Sequence, residues 1–159
     1  GYFDTDLIRN QDDEFHQRLL KYGFEIHLIG SLKIDYFARK TLIANSLMYF
    51  QYGLFKPAVN KKLSKITTLR QLAPVVLLLC LVFVIVGSII SPYHSLAAVS
   101  AIILIYLGAS LFTLIGSKWK LSIKVVGLLS LIVFLMHLSY GFGYVFGSIY
   151  TPKKVALTR

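Results

Sequence analysis

The chain has 159 residues, 56% of them hydrophobic, and a formal net charge of +10 at pH 7. Its hydrophobic residues are concentrated in long blocks, which excludes an ordinary soluble domain and indicates a membrane protein. The single cysteine, Cys80, lies inside an apolar run, which excludes a disulfide framework and a cysteine-based metal site.

The charges are distributed unevenly along the chain. All seven acidic residues lie in the first 35 positions, and no acid follows Asp35, although most of the Lys and Arg do. Basic residues that flank apolar blocks more often meet anionic lipid headgroups than nucleic acid. We therefore expect membrane lipids as partners and no nucleic acid.

A helix is predicted near the start of the chain, over residues 11–22. Asn10 is placed to cap it, and acidic residues occupy its first turn. Gly23 follows in a position that favours a left-handed end to the helix.

Two alternating segments, Phe24–Ile29 and Lys33–Phe37, are typical of strands. Together with the helix they predict a mixed α/β fragment over residues 1–40, which is too short to bury a core of its own. We expect this fragment to pack on a sheet that lies outside the chain.

Residues 41–70 are predicted to form an interfacial helix and a basic linker. Thr41–Phe55 has apolar and aromatic residues at helical spacing, and the helix is expected to break at Pro57. Aromatic rings and basic side chains suit the membrane–water interface; the alternative is a soluble helix that packs on a domain outside the chain. The expected membrane-interface residues are Lys61, Lys62, Lys65, Arg70 and, beyond the second span, Trp119.

Three apolar blocks follow, and none contains Asp, Glu, Lys or Arg. At 1.5 Å per residue even the shortest reaches about 28 Å, close to the roughly 30 Å of bilayer hydrocarbon. The sequence therefore predicts an α-helical membrane domain over residues 71–150, with three transmembrane helices at Leu72–Ile90, Leu96–Ile115 and Val125–Tyr150.

The loops between the spans predict the topology. The first loop has no Lys or Arg, whereas the second carries Lys118, Lys120 and Lys124. The positive-inside rule then places residues 1–70 in the cytoplasm and the first loop outside. The basic tail at 151–159 conflicts with the rule, so either a short basic tail is tolerated outside or the third segment dips and returns.

His137 lies deep in the third predicted span. An ionisable residue there is a functional candidate, but we favour a neutral imidazole that hydrogen-bonds to a neighbouring helix. Gly143 and Gly147 have the spacing that allows two helices to approach closely. No metal site is predicted, because the other histidines share no metal-ligand spacing: His16, His27 and His94.

The densest polar cluster runs from Arg9 to Glu14. Acids in the first turn of a helix interact favourably with its dipole, by about 0.3–1 kcal/mol each, and the local pattern alone favours this interpretation. The functional alternative is a carboxylate held at the edge of a domain as a general base.

The segment Gln11–Leu19 resembles the acceptor-side motif of family 2 glycosyltransferases of the GT-A type. In many relatives the motif reads Glu-Asp-x-Asp-Leu-x-x-Arg-Leu, and this segment falls on it position by position. The narrower resemblance is to membrane-bound bacterial enzymes of the succinoglycan-type exopolysaccharide group. The similarity extends along nearly the whole chain, through Gly1–Asp6, Tyr36–Arg39, Gln51–Gly53 with Lys56, the three spans, and His137 with Tyr140–Gly141.

The resemblance implies that Asp12 is the catalytic base, which takes a proton from the acceptor hydroxyl and gives inversion at the anomeric carbon. Gln11 departs from the commoner Glu of the motif. Asp13 and Glu14 are expected to orient the acceptor or to cap the helix, with capping favoured for Asp13. Arg39 would meet a diphosphate or lipid phosphate, or is an ordinary surface charge.

Two family motifs have no counterpart in the sequence. The Asp-x-Asp motif, which holds Mg²⁺ or Mn²⁺ on the nucleotide sugar, is absent, and the chain does not begin with methionine. We therefore expect a nucleotide-binding half upstream, no cofactor within these residues, and no activity from them alone. The Gln-x-x-Arg-Trp motif of processive synthases is also absent, which favours the addition of one sugar.

The predicted function is that of the C-terminal part of an inverting hexosyltransferase in the bacterial inner membrane. It would move a sugar from a nucleotide sugar to a membrane-borne, polyprenyl-linked glycan in envelope or exopolysaccharide synthesis. The alternative is a non-catalytic three-span module, such as a transporter or complex subunit, with a cytoplasmic binding segment.

Overall fold

The computed structural model describes residues 2–115 and 122–150 of the chain. Within these residues the regular structure is entirely helical, and a short 3-10 turn at Leu69–Leu72 leads into the first long apolar helix. The α-helices, in chain order, are α1 (Gln11–Lys21), α2 (Leu42–Leu63), α3 (Ala73–Ile90), α4 (Pro92–Ile115) and α5 (Ile123–Ile149).

The first helix, α1, has nearly the predicted ends. Asn10 occupies the N-cap position, but its φ of 59° is left-handed and its side chain makes no capping bond. That side chain instead donates a hydrogen bond to the carbonyl oxygen of Tyr52 in α2, at 2.9 Å. Gly23 follows the helix at a φ of +80°, in the left-handed conformation that was predicted, which glycine adopts at little cost.

The two strand predictions, Phe24–Ile29 and Lys33–Phe37, are wrong for this structure. Neither segment forms a strand, and no strand occurs anywhere in residues 2–115 or 122–150. A strand is stabilised by hydrogen bonds to a neighbouring strand, and the described chain offers no sheet edge for pairing. Apolar side chains in both segments are consequently exposed, including Leu28 at 97% and Phe37 at 91%.

The second helix, α2, is longer than predicted. It begins after Thr41, whose hydroxyl oxygen accepts a hydrogen bond from the Ala44 N–H at 3.2 Å. The predicted break at Pro57 is wrong, because α2 continues for six residues beyond it to Leu63. A proline inside a helix removes a backbone hydrogen bond and costs about 3 kcal/mol. Contacts with α5 lie on both sides of the proline, at Gly53 before it and at Asn60 after it, and they favour a continuous helix.

The contact between α2 and α5 is the most extensive in the structure. It depends on glycines, because the backbones of the two helices touch. A methyl group on Gly143 or Gly147 would overlap the carbonyl groups of Phe50 and Leu54, and one on Gly53 would overlap the backbone of α5. The predicted close approach at Gly143 and Gly147 is thus present, and the helix that approaches them is α2.

Three helices of the structure are long and apolar enough to cross a membrane, at Leu69–Ile90, Pro92–Ala109 and Ile123–Ile149. The three predicted spans are confirmed to this extent. The second starts earlier than predicted, at Pro92, because proline suits the first turn of a helix. Only Ser91 then separates it from the first span. Side chains such as Phe83, 76% exposed, form an apolar outer surface.

Two predictions concern residues outside the described part of the chain. Trp119, with Lys118 and Lys120, lies in the 116–121 gap, and the basic tail lies in 151–159.

The interfacial position of α2 stays a prediction. What the structure adds is that one face of α2 is covered by α5, so that face is unavailable to lipid.

Candidate functional site

Side-chain hydrogen bonds attach the start of α1 to the middle of α2. The Arg9 Nε–H donates to the Gln51 Oε1 at 3.0 Å, and the Asn10 amide donates to the Tyr52 carbonyl at 2.9 Å. These contacts join residues 42 positions apart in the chain. They hold the first turn of α1, which carries the acidic motif, against a helix that is itself packed on α5.

Two of the three consecutive acids in this turn form ion pairs with basic side chains. Asp13 forms an ion pair with Lys56 of α2. Glu14 is fully buried and accepts two hydrogen bonds from Arg18, at 2.9 and 3.2 Å. Arg18 also donates to the Tyr2 carbonyl at 2.8 Å. The carboxylate of Glu14 is therefore enclosed by protein, and the role expected for it, orienting the acceptor or capping the helix, stays a prediction.

Asp12 differs from both neighbours. It is exposed, and it has neither a hydrogen-bond nor an ion-pair partner among the residues that the structure describes. It lines a cleft of about 540 Å³ formed where α1, α2, the 3-10 turn and α5 meet. A carboxylate that is open to a cleft and free of internal partners can accept a hydrogen bond from a ligand hydroxyl.

The walls of this cleft combine charged and aromatic side chains. Lys56 and Arg70 supply positive charge, and Tyr49, Tyr52 and Tyr140 supply aromatic surface. Burial, with a smaller contribution from Tyr52, holds the pKa of Tyr49 above its ordinary value of 10.0. Tyr49 therefore keeps its proton at neutral pH and can donate a hydrogen bond. A few polar groups among aromatic walls are typical of small-molecule sites.

A buried polar cluster beside the cleft was not predicted from the sequence. The Asn60 amide donates to the Gln71 Oε1 at 3.2 Å and to the Tyr144 hydroxyl at 3.3 Å. Gln71 is only 8% exposed and lines the cleft, and its Nε2 has no hydrogen-bond partner in the described chain. The only sequence signal was a glutamine directly before an apolar block, which looks like an ordinary helix boundary.

Most of the remaining predicted site residues in the described chain lie outside the cleft. Gln11 is exposed at the start of α1 and does not line it, and Arg39 lies in the exposed segment before α2. Among the interface predictions, Lys61 and Lys65 are exposed, whereas Lys62 forms an ion pair with Asp4. Arg70, also predicted at the interface, lines the cleft.

The Asp4–Lys62 pair ties the N-terminal segment to the end of α2. The hydrogen bond from Lys62, with one from the Asp6 N–H at 3.0 Å, holds the pKa of Asp4 below its ordinary value of 3.8. Nearby, Leu7 packs on Val59 and Leu63 in a small buried cluster. The segment before α1 is therefore anchored by both charge and apolar contact.

His137 makes the kind of contact that was favoured for it. Its Nδ1 lies 3.1 Å from the Tyr106 hydroxyl of α4, within hydrogen-bond distance. His137 also lines the cleft that contains Asp12, which the sequence did not indicate. The third long apolar helix, α5, thus contributes directly to the cleft.

The described residues bring together no group of three or more His, Cys, Asp or Glu that could hold a metal ion. The resemblance implies Mg²⁺ or Mn²⁺ for a nucleotide-binding half. That metal would be held by residues other than those that the structure describes.

The chain matches no known family model, no curated protein and no solved structure. The resemblance to glycosyltransferases therefore depends on the patterns in the amino-acid sequence alone.

Proposed function

We propose that this chain is the acceptor-side and membrane-anchoring part of an inverting family 2 glycosyltransferase. In this proposal a GT-A nucleotide-binding half precedes Gly1, and the sugar passes to a lipid-linked glycan at the cytoplasmic face of a bacterial inner membrane. The observation that carries the proposal is the state of Asp12, which lines the cleft and, unlike Asp13 and Glu14, has no ion-pair partner among the described residues.

The chemistry assigned to Asp12 is general-base catalysis. Its carboxylate accepts a hydrogen bond from the acceptor hydroxyl and takes the proton as that oxygen attacks the anomeric carbon. The bond from this carbon to the nucleotide diphosphate breaks on the opposite face, and the electron pair leaves with the phosphate. A single in-line displacement inverts the anomeric configuration.

The position of the cleft supports an acceptor carried by the membrane. Arg70 and Gln71 lie in the turn before α3, and Pro74 lies in the first turn of that span. The cleft therefore lies at the start of α3, a predicted transmembrane helix, and beside His137 in the middle of α5. A glycan attached to a lipid headgroup would be presented at this depth.

The test is Asp12→Asn in the full-length protein, assayed in membranes for sugar transfer. General bases contribute about 100- to 10,000-fold, so we expect the rate to fall at least about 100-fold. Asp6→Asn, an acid outside the cleft, is the matched control and should retain the rate. Near wild-type transfer by Asp12→Asn would exclude Asp12 as the base. Retention of anomeric configuration in the product would exclude the single displacement.

The second candidate is a non-catalytic three-span module, which the three apolar helices alone would also suit. The coding sequence upstream of Gly1 separates the two. A Rossmann-like half with an Asp-x-Asp motif supports the enzyme, whereas a start codon directly before Gly1 supports the module.

A further inference from the structure

Three partly buried side-chain contacts attach the start of α1 to the middle of α2. They are the Arg9 hydrogen bond to Gln51, the Asn10 hydrogen bond to the Tyr52 carbonyl oxygen, and the Asp13 ion pair with Lys56. In the chain, Asp12 lies between the second and the third of these contacts, but its carboxylate takes part in neither. The position of that carboxylate therefore depends on how its neighbours hold α1.

Asn10 adopts a backbone conformation that is unfavourable for most residues. Its φ of 59° is left-handed, and among the described residues only Ser64 shares such a φ without being glycine. An asparagine before a helix ordinarily has an extended backbone and accepts a hydrogen bond from an N–H of the first turn. Asn10 makes no such bond, and its amide donates to Tyr52 instead. Backbone strain of this kind persists where surrounding contacts fix it, and it is common at functional sites.

The part of α2 that holds α1 is also the part whose backbone touches α5. Gly53 directly follows Tyr52, and a methyl group on Gly53 would overlap the Tyr140 carbonyl oxygen of α5. Tyr140 lines the same cleft as Asp12. The contacts of α1 with α2 thus connect Asp12 to another wall of its cleft through two helices in backbone contact.

We propose that Arg9, Asn10 and Gln51 are positioning residues, which hold the Asp12 carboxylate in place relative to α5. Arg9 and Gln51 do not line the cleft, so any effect of these two on the reaction is indirect. A general base must lie within hydrogen-bond reach of the proton that it takes, and a displacement of about 1 Å can lower a rate about 100-fold. The inference rests on the proposed function of Asp12. It makes α5 part of the scaffold of the site and not only a membrane anchor.

The first test measures the position of α1 without any ligand. Spin labels at His16→Cys and Ile149→Cys, two exposed positions on α1 and α5, report the distance between the helices by pulsed electron paramagnetic resonance. The full-length protein is measured in detergent, in a background without other cysteines. Gln51→Leu combined with Asn10→Gly removes two of the three contacts and should broaden the distance distribution. An unchanged distribution would overturn the inference.

The second test measures sugar transfer by the full-length protein in membranes. The probe is the radiolabelled UDP- or GDP-hexose that the wild-type protein incorporates into lipid. Gln51→Leu removes the acceptor of the Arg9 hydrogen bond and should lower kcat about tenfold, with the KM for the nucleotide sugar unchanged within about twofold. Gln51→Glu keeps an acceptor for Arg9 and should retain kcat. Full activity of Gln51→Leu, or an equal loss in Gln51→Glu, would overturn the positioning role.

A matched pair of glycine variants tests Asn10. Asn10→Gly removes the hydrogen bond to Tyr52 but keeps the left-handed backbone, which glycine adopts at little cost. Ser64→Gly makes the same backbone change at the end of α2, at a residue that does not line the cleft. We expect kcat to fall about tenfold in Asn10→Gly and to stay unchanged in Ser64→Gly. Equal rates for the two variants would exclude a positioning role for the Asn10 amide.

A double variant separates this inference from the proposed function. In the Asp12→Asn background no base remains to be positioned, so Gln51→Leu should lower the rate by less than about twofold. A further tenfold loss in that background would mean that Gln51 acts by another route, and would refute the positioning role alone. Full transfer by Asp12→Asn itself would refute the catalytic role.

Discussion

Asp12, Asp13 and Glu14 are consecutive, yet their carboxylates occupy three environments. Each residue turns a helix by about 100°, so three neighbours in one turn face three directions. Glu14 faces inward to Arg18, Asp13 faces α2 and Lys56, and Asp12 faces the cleft. The same turn can therefore supply both the attachment of α1 and the open carboxylate that a general base requires.

The Glu14–Arg18 pair should be needed for stability. Glu14→Ala leaves the Arg18 guanidinium, about one quarter exposed, without its partner. Breaking a largely buried pair costs about 3 kcal/mol, and the melting temperature should fall accordingly. Thermal denaturation followed by circular dichroism measures this change. Glu25→Gln, on an exposed side chain, is the control; equal melting temperatures for the two variants would contradict a structural role for Glu14.

At the scale of elements, local patterns predicted some features well. Three apolar blocks of sufficient length predict three membrane helices, whatever contacts the helices make with one another. The reason is that a backbone buried in lipid must satisfy its own hydrogen bonds, as a helix does. Gly23 was similarly predictable, since a left-handed helix end depends on one residue.

Other elements depended on contacts that the sequence does not reveal. Alternation in Phe24–Ile29 predicts a strand only if a sheet edge is present, and none is present in the described chain. Pro57 predicts a break only if nothing holds the helix on both sides, and α5 does. In the candidate site, the motif identified Asp12. Arg70, by contrast, looked like part of a basic linker, and Gln71 looked like an ordinary residue at a helix boundary. Only the turn before α3 brings them into the cleft.

The α2–α5 contact should tolerate no side chain at its glycines. Gly143→Ala places a methyl group against the Phe50 carbonyl, so the helices must separate and the protein should melt at a lower temperature. Gly127→Ala is the matched control on the same helix, because nothing lies within 4 Å of its added methyl group. It should be neutral or stabilising by up to about 1 kcal/mol through helix propensity.

The control and the test change the same residue type in the same helix, so helix propensity cancels between them. If Gly143→Ala melts at or above the temperature of Gly127→Ala, α2 and α5 do not pack as the structure describes.

At the scale of the whole molecule, the spans and the charges predict a defined topology. The short connection between α3 and α4 should lie outside the cytoplasm and the end of α2 inside. In a Cys80→Ser background, Tyr93→Cys should react with a membrane-impermeant maleimide in intact cells, since Tyr93 is 85% exposed. Lys65→Cys should react only after the cells are permeabilised. The reverse pattern would place α1 and the cleft on the outer side.

The glycine contact between α2 and α5 also has a consequence for the order of assembly during translation. About 60 residues separate the end of α2 from the start of α5, which takes roughly 3–12 s to synthesise at ribosomal rates. Until α5 has been synthesised, the face of α2 around Gly53 has no helix to pack against. The cleft also lacks the wall that His137 and Tyr140 provide. A nascent chain that stalls before this point carries Asp12 but an incomplete cleft, so the cleft forms only after all three long apolar helices have been made.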